Sequence, residues 1–127
     1  MDAAARPVLA AADCRALASA PALAIATVAS SKADCSSIGN TYVVFDVVRL
    51  VRGENVARVV IRRPLYGTER PFAVGDTFVV AIEPDVRPAQ TVQCVPLPAH
   101  EGNVRHFVHA SSAMDAERLV EATSSCR

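Results

Sequence analysis

Hydrophobic and polar positions alternate through the middle of this chain and switch to helical spacing only near its end. Alternation is the signature of a strand, because successive side chains point to opposite faces. The pattern begins at residues 23–29. Leu23, Ile25 and Thr27 share one face there, while the other carries only Ala24, Ala26 and Val28. Residues 30–40 are polar and Ser-rich, a loop that holds Cys35 and Gly39. Residues 41–51 are the strongest strand, dense in β-branched and aromatic side chains. Val43, Phe45 and Val47 fall on one face and Tyr42, Val44, Asp46 and Val48 on the other, both largely apolar, so one end is expected to be covered on both sides. Arg52-Gly53-Glu54-Asn55 is a turn, and residues 56–63 return as the second arm of a hairpin, with Val59 and Ile61 inward and Arg58 and Arg62 outward.

Residues 64–74 are irregular, with Pro64, Gly67 and Pro71, and Gly75-Asp76 is a further turn. Residues 77–82 alternate again, with Phe78, Val80 and Ile82 on one side. Thr91–Val95 reads as a fifth, short strand with Val92 and Cys94 on one face, stopped by Pro96 and Pro98. Residues 103–110 extend or continue the sheet. The period then changes. Ser112-x-x-Asp115 is a capping-box pattern, and Ala113, Ala116, Val120 and Thr123, with Leu119 beside them, recur at helical spacing.

Five strands and a terminal helix bury their apolar positions best as a small closed barrel, which also removes the open edges of a sheet. A sandwich usually takes about seven strands. The expected fold class is mainly β: a five-stranded OB-like barrel over residues 22–127 with a C-terminal helix. It is preceded by an N-terminal arm, residues 1–21, in which only a helical turn near Cys14–Ala18 is expected.

Composition narrows the function classes. A length of 127 residues suits one domain with a thin core, and a hydrophobic fraction of 51% excludes a disordered chain. The formal net charge is zero, so the excess of Lys and Arg that a general polyanion binder needs is missing. The Ala-rich start is acidic at Asp2 and broken by Arg6, Pro7 and Asp13, which is not the pattern of an intact signal peptide and fits a mature chain with an added Met. Asp13 stands where a lipoprotein cleavage site wants a small residue, so no lipid anchor is expected. No apolar run reaches the ~18 residues of a membrane span. The four cysteines, Cys14, Cys35, Cys94 and Cys126, are dispersed and even in number, which favours two disulfides in an oxidising compartment over zinc. A secreted or periplasmic location follows as the expectation. Four cysteines allow three pairings.

The order of these elements resembles the TIMP-like (netrin-module) OB-fold. The similarity is carried by residues 22–28, by Tyr42 to Gly53 with its basic-Gly turn, by the partner strand at 56–61, by the Gly-turn and aromatic strand at 72–82, by Cys94 after Val92, and by a helix that closes on Cys126. It covers about residues 14–126 as a pattern of hydrophobicity and turns. The resemblance implies pairing between the N-terminal segment and the last strand, hence Cys14–Cys94 and Cys35–Cys126. It also implies a metalloprotease inhibitor whose N-terminal cysteine chelates zinc through a free amine. Here thirteen residues precede Cys14 and Arg15-Ala16 follow it, so that mode requires cleavage directly before Cys14.

Candidate chemistry is sparse. His100, His106 and His109 cluster with Glu101 in sequence, and imidazole is the commonest metal ligand. If residues 104–109 form a strand, His106 and His109 face opposite sides, so no metal site is expected. Arg49, Arg52, Arg58, Arg62, Arg63 and Arg70 form the most basic stretch, which with Tyr42 and Tyr66 suggests a single-stranded nucleic-acid face on an OB barrel. Asp46, Glu54 and Glu69 lie among them and aromatics are only 5% of the chain, which argues against it. No G-x-S-x-G or Gly-rich phosphate loop occurs, and no catalytic residue or cofactor is expected. The loop from Pro64 to Pro71, with Leu65, Tyr66 and Phe72, is the expected contact surface for a protein partner, and Leu65, Tyr66, Arg58 and Arg62 are the candidate binding residues. The reading is a non-catalytic extracytoplasmic protein-binding module that restrains a partner enzyme. A TIMP-type inhibitor and a nucleic-acid-binding OB domain are the alternatives.

Overall fold

A computed structural model describes residues 9–33, 41–53, 57–65, 72–83 and 102–126. The protein is mainly β. The elements in order are helix α1 (Ala11–Ser19), strands β1 (Ala22–Ala33), β2 (Thr41–Arg52), β3 (Arg58–Leu65), β4 (Thr77–Glu83) and β5 (Gly102–Ala110), and helix α2 (Ala113–Thr123). The strands close a barrel in the order β1-β2-β3-β5-β4. β1, β2 and β3 form an antiparallel meander, and β4 returns to lie antiparallel beside β1, so four strands make a Greek key. β5 completes the wall, antiparallel to β4 and parallel to β3 over Val59 and Val60.

The walls bury both of their faces along β1 and β4. Inside lie Ala22, Ala24, Ala26 and Val28 of β1 with Val43, Phe45, Val59, Ile61, Phe78, Val80 and Ile82. The small side chains of β1 leave room for the rings opposite them, because a small barrel has space for few large residues at one level. All four phenylalanines of the chain meet in one cluster: Phe78 lies 5.6 Å from Phe45, 5.1 Å from Phe72 and 6.0 Å from Phe107, mostly edge to face.

Outside the barrel, Leu23, Ile25, Val79, Ala81 and Ala110 form a second apolar layer with Leu17 of α1 and Ala116 and Leu119 of α2. The face of Leu23 and Ile25 is thus the one covered by helices, and the face of small residues is the barrel interior. α1 runs through nine residues, longer than the single turn expected from sequence. α2 begins where the capping box predicts: Ser112 Oγ accepts from Asp115 N at 3.0 Å, and Asp115 Oδ2 accepts from Ser111 N at 2.8 Å.

Two glycines carry the turns. Gly75 has φ 94°, and its N–H donates to Val28 O at 2.9 Å while Val28 N donates to Asp76 O at 3.0 Å, docking the turn before β4 onto β1. Gly53 has φ 102° and lies against Ala22, where a Cβ would come within 2.8 Å of the Ala22 Cα.

The fifth wall strand is Gly102–Ala110. The expected strand at Thr91–Val95 lies outside the described residues.

Candidate functional site

Bulges in β2 decide which side chains meet the helices. Thr27, Ala26 and Ile25 of β1 face Asp46, Val47 and Arg49, so Val48 is an extra residue with no opposite number; Val51 is skipped in the same way between Leu50 and Arg52. A bulge re-aims the residues beyond it. Val47 and Leu50 consequently pack against the barrel core, while Arg49 and Arg52 turn to the helix side.

Arg49 grips Glu117 of α2 with two hydrogen bonds, Nε to Oε2 at 2.7 Å and Nη2 to Oε1. The hydrogen bond holds the Arg49 guanidinium above its ordinary pKa and the Glu117 carboxyl below its own. Arg52 closes the C-terminal end of α1: Nη2 donates to Leu17 O at 2.6 Å and Ala18 O at 3.0 Å, and Nε donates to Ala20 O at 3.2 Å. A cation at that end satisfies unpaired carbonyls and opposes the helix dipole. Nothing in the sequence separates Arg49 and Arg52 from the other arginines, because their roles depend on bulges that sequence alternation does not reveal.

α1 is fixed at its other end as well. Asp13 Oδ1 lies 2.7 Å from Nε2 of His106 on β5. Cys14, in the first turns of α1, is joined to Cys126 just beyond α2, with Cα atoms 5.5 Å apart. This overturns the expected pairings. Cys14–Cys94 and Cys35–Cys126 each require a cysteine that the observed bond already uses. The reason is architectural: α1 and α2 lie side by side on the same outer layer, which brings the N-terminal segment to the C-terminal end. Cys35 and Cys94 lie outside the described residues. Beside the disulfide is an open cleft of about 430 Å³ lined by Arg15, Ala18, Ser19 and Cys126.

The histidines separate. His106 faces Ala81 across the β4–β5 ladder and turns to α1, whereas His109 faces Phe78, with its ring 5.1 Å from the phenyl ring. His100 and Glu101 lie outside the described residues.

The candidate binding residues divide as well. Arg58 opens β3 and forms a cross-strand ion pair with Asp46 of β2, Nε to Oδ1 at 2.9 Å. Leu65 faces Thr41 of β2 at the far end of β3, and Arg62 lies between Arg58 and Leu65 in β3. Tyr66 and the loop to Pro71 lie outside the described residues. Val48, in its bulge two residues from Asp46, is 63% exposed. Arg49, Arg52 and Arg58, half of the basic stretch, are thus engaged within the protein.

Three hydroxyls of the C-terminal region serve the backbone: Ser112 caps α2, Thr123 Oγ1 donates to Val120 O at 2.6 Å, and Ser124 Oγ donates to Glu121 O at 2.8 Å. Among the described residues no group of three or more His, Cys, Asp or Glu could hold a metal ion, and no helix is long and apolar enough to cross a membrane.

No protein-family model, curated protein or solved structure matches this chain.

Proposed function

We propose that this protein is a non-catalytic, extracytoplasmic protein-binding module on an OB-like barrel, which presents its β2–β3 face and adjoining loops to a partner enzyme and restrains it. The observation that carries the reading is the asymmetry of the barrel. The outer side of β1, β4 and β5 is occupied by two helices joined through Cys14–Cys126, while Val48 stands exposed on β2 beside the Asp46–Arg58 pair. An OB barrel uses the face of its second and third strands for recognition, and the Greek-key closure supports that assignment. The disulfide supports an oxidising compartment. Cys35 and Cys94 then have only each other as partners, and we assign them the second disulfide.

The TIMP-type alternative loses support from α1. Cys14 N donates to Ala10 O at 2.9 Å as an ordinary helix amide, so a chelating amine there requires cleavage and loss of the first turn. The nucleic-acid alternative loses support from the arginines already engaged by Glu117, Asp46 and the end of α1.

The test is affinity capture from an envelope fraction with wild type and Val48→Asp in parallel. Wild type is expected to retain a partner that the variant releases at unchanged Tm. Capture of the same proteins by both, or of none across several conditions, removes the reading. A non-reducing peptide map accompanies it: Cys35 bonded to Cys94 is expected, and four free thiols in native material would end the case for export.

A further inference from the structure

We propose that Cys14–Cys126 is an exchange-accessible latch: a dithiol reductant opens it by attack at Cys126, and opening frees α1 from a barrel that stays folded. This goes beyond the protein-binding reading and does not depend on it.

α1 cannot hold itself. It has nine residues, Ala10 at its N-cap provides no side-chain hydrogen bond, and Leu17 is its one buried side chain. Helices this short are marginal without tertiary support. Its support comes from Leu17, with Leu9 and Ala20 packed at its two ends, from the Asp13–His106 contact, from Arg52 at its C-terminal end and from the disulfide. The barrel core is built from β1–β5 and Phe72 and contains neither bonded cysteine. The disulfide ties residues 112 apart in sequence, yet both ends lie in the outer layer. Breaking it therefore removes a native contact from α1 and none from the ring of strands, which loses only the restraint that the long loop places on the unfolded chain.

The local chemistry favours one direction of attack. Cys126 lines the open cleft together with Arg15. Cys14, in the first turns of α1, is not among the residues that line the cleft, so it is the leaving group. In the first step a partner thiolate forms a bond to Cys126 Sγ as the Cys126–Cys14 bond breaks, and Cys14 leaves as thiolate. In the second, the partner's other thiolate attacks its own sulfur in the mixed disulfide and releases Cys126 as thiolate. Two electrons pass to the two cysteines, and the dithiol becomes a disulfide.

Two measurements test this in a Cys35→Ser/Cys94→Ser background. Glutathione is added to the folded protein, with iodoacetamide to block the thiol released. The mixed disulfide is expected on Cys126 and the alkyl group on Cys14; the reverse placement refutes the direction of attack. Amide exchange is then compared with and without reduction by dithiothreitol. Exchange at residues 14–19 is expected to rise at least ten-fold, while residues 77–83 of β4, affected only through the lost restraint on the unfolded chain, stay strongly protected. Loss of protection in both makes the bond a staple of the whole fold, and no rise at α1 shows that reduction does not free it; either overturns the proposal. If that background does not fold, the exchange comparison is made between wild type and Cys14→Ser/Cys126→Ser, with the same two results decisive, and the glutathione trap is mapped on wild type.

Discussion

Replacing Phe78 by Ala is expected to be the most damaging single truncation in the barrel. Phe78 is 1% exposed and touches Phe45, Phe72, Phe107 and the ring of His109. Truncating a buried Phe costs about 3–5 kcal/mol, depending on how far the site can collapse. Collapse is restricted here, because Phe45, Phe107 and His109 belong to strands hydrogen-bonded to one another around a closed ring. The edge-to-face contacts, worth about 0.5–1.5 kcal/mol beyond area burial, are lost as well. The expectation is therefore the upper part of the range, about 4–5 kcal/mol. At about 2.1 cal/mol/K per residue, a chain of 127 residues has an unfolding entropy near 0.27 kcal/mol/K, so Tm falls by roughly 15–19 °C. Phe107→Ala, at a half-buried site on the rim of the same cluster, is expected to cost about half as much. Urea denaturation followed by circular dichroism at 10 °C measures both, with an unchanged m-value as the sign that the native state is the same. Equal losses for the two variants, or a loss below about 2 kcal/mol for Phe78→Ala, refute a rigid, closed ring around that side chain.

Three further predictions address the turns and the outer layer. Gly53→Ala combines a strained φ of 102° with a Cβ contact against the Ala22 backbone and is expected to cost at least ~2 kcal/mol in denaturant melts, whereas a cost under ~0.5 kcal/mol rejects that close packing. Ser112→Ala removes the α2 cap and is expected to cost about 1 kcal/mol, with faster amide exchange at Asp115 as its local mark. The Arg49–Glu117 bond lowers the Glu117 pKa, so its contribution is present above the ordinary glutamate pKa of ~4.3 and is lost as pH falls through the lower folded value. An NMR titration should show the Glu117 carboxyl titrating below the ordinary glutamate range, and Arg49→Gln should bring it back; a Glu117 midpoint that Arg49→Gln does not move removes the pair as its cause.

What sequence alternation conveys, and where it fails, follows from the bulges. β4 is regular: Phe78, Val80 and Ile82 are the inward set that alternation assigns, and five of its residues are buried because helices cover its outer face. The β1 face of Ala24 and Ala26 looks weak as sequence, yet it is the barrel interior, where ring size opposite limits side-chain size. β5 hides for a different reason. Val104 faces Ile82 and points inward, then Arg105 is skipped between the pairs Val104–Ile82 and His106–Ala81, so the phase reverses and Phe107 and His109 point inward instead. A one-residue insertion of this kind moves every later side chain to the other face. Read without it, Val104, His106 and Val108 form a mixed and unconvincing stripe, whereas the folded strand buries Val104 and Phe107 in the barrel and turns His106 and Val108 to the helices.

The same insertion logic explains why the outer layer was the least legible part. Arg49 and Arg52 reach α2 and α1 only because Val48 and Val51 each take an extra place in β2. His106 reaches Asp13 only because Arg105 does so in β5. Three bulges thus convert strand residues into anchors for two helices at opposite ends of the sequence, and the cysteine pairing is a consequence: once both helices dock on one side of the barrel, Cys14 and Cys126 are neighbours. Family-like spacing of cysteines is insensitive to that arrangement, because it records order along the chain and not the face to which a bulge commits each anchor. The His106 anchor can be removed while the bulge is kept. His106→Ala should abolish the contact with Asp13 and loosen α1, with raised amide exchange at residues 14–19 as the reading. Retained protection there would mean that the Cys14–Cys126 bond and Arg52 hold the helix without His106.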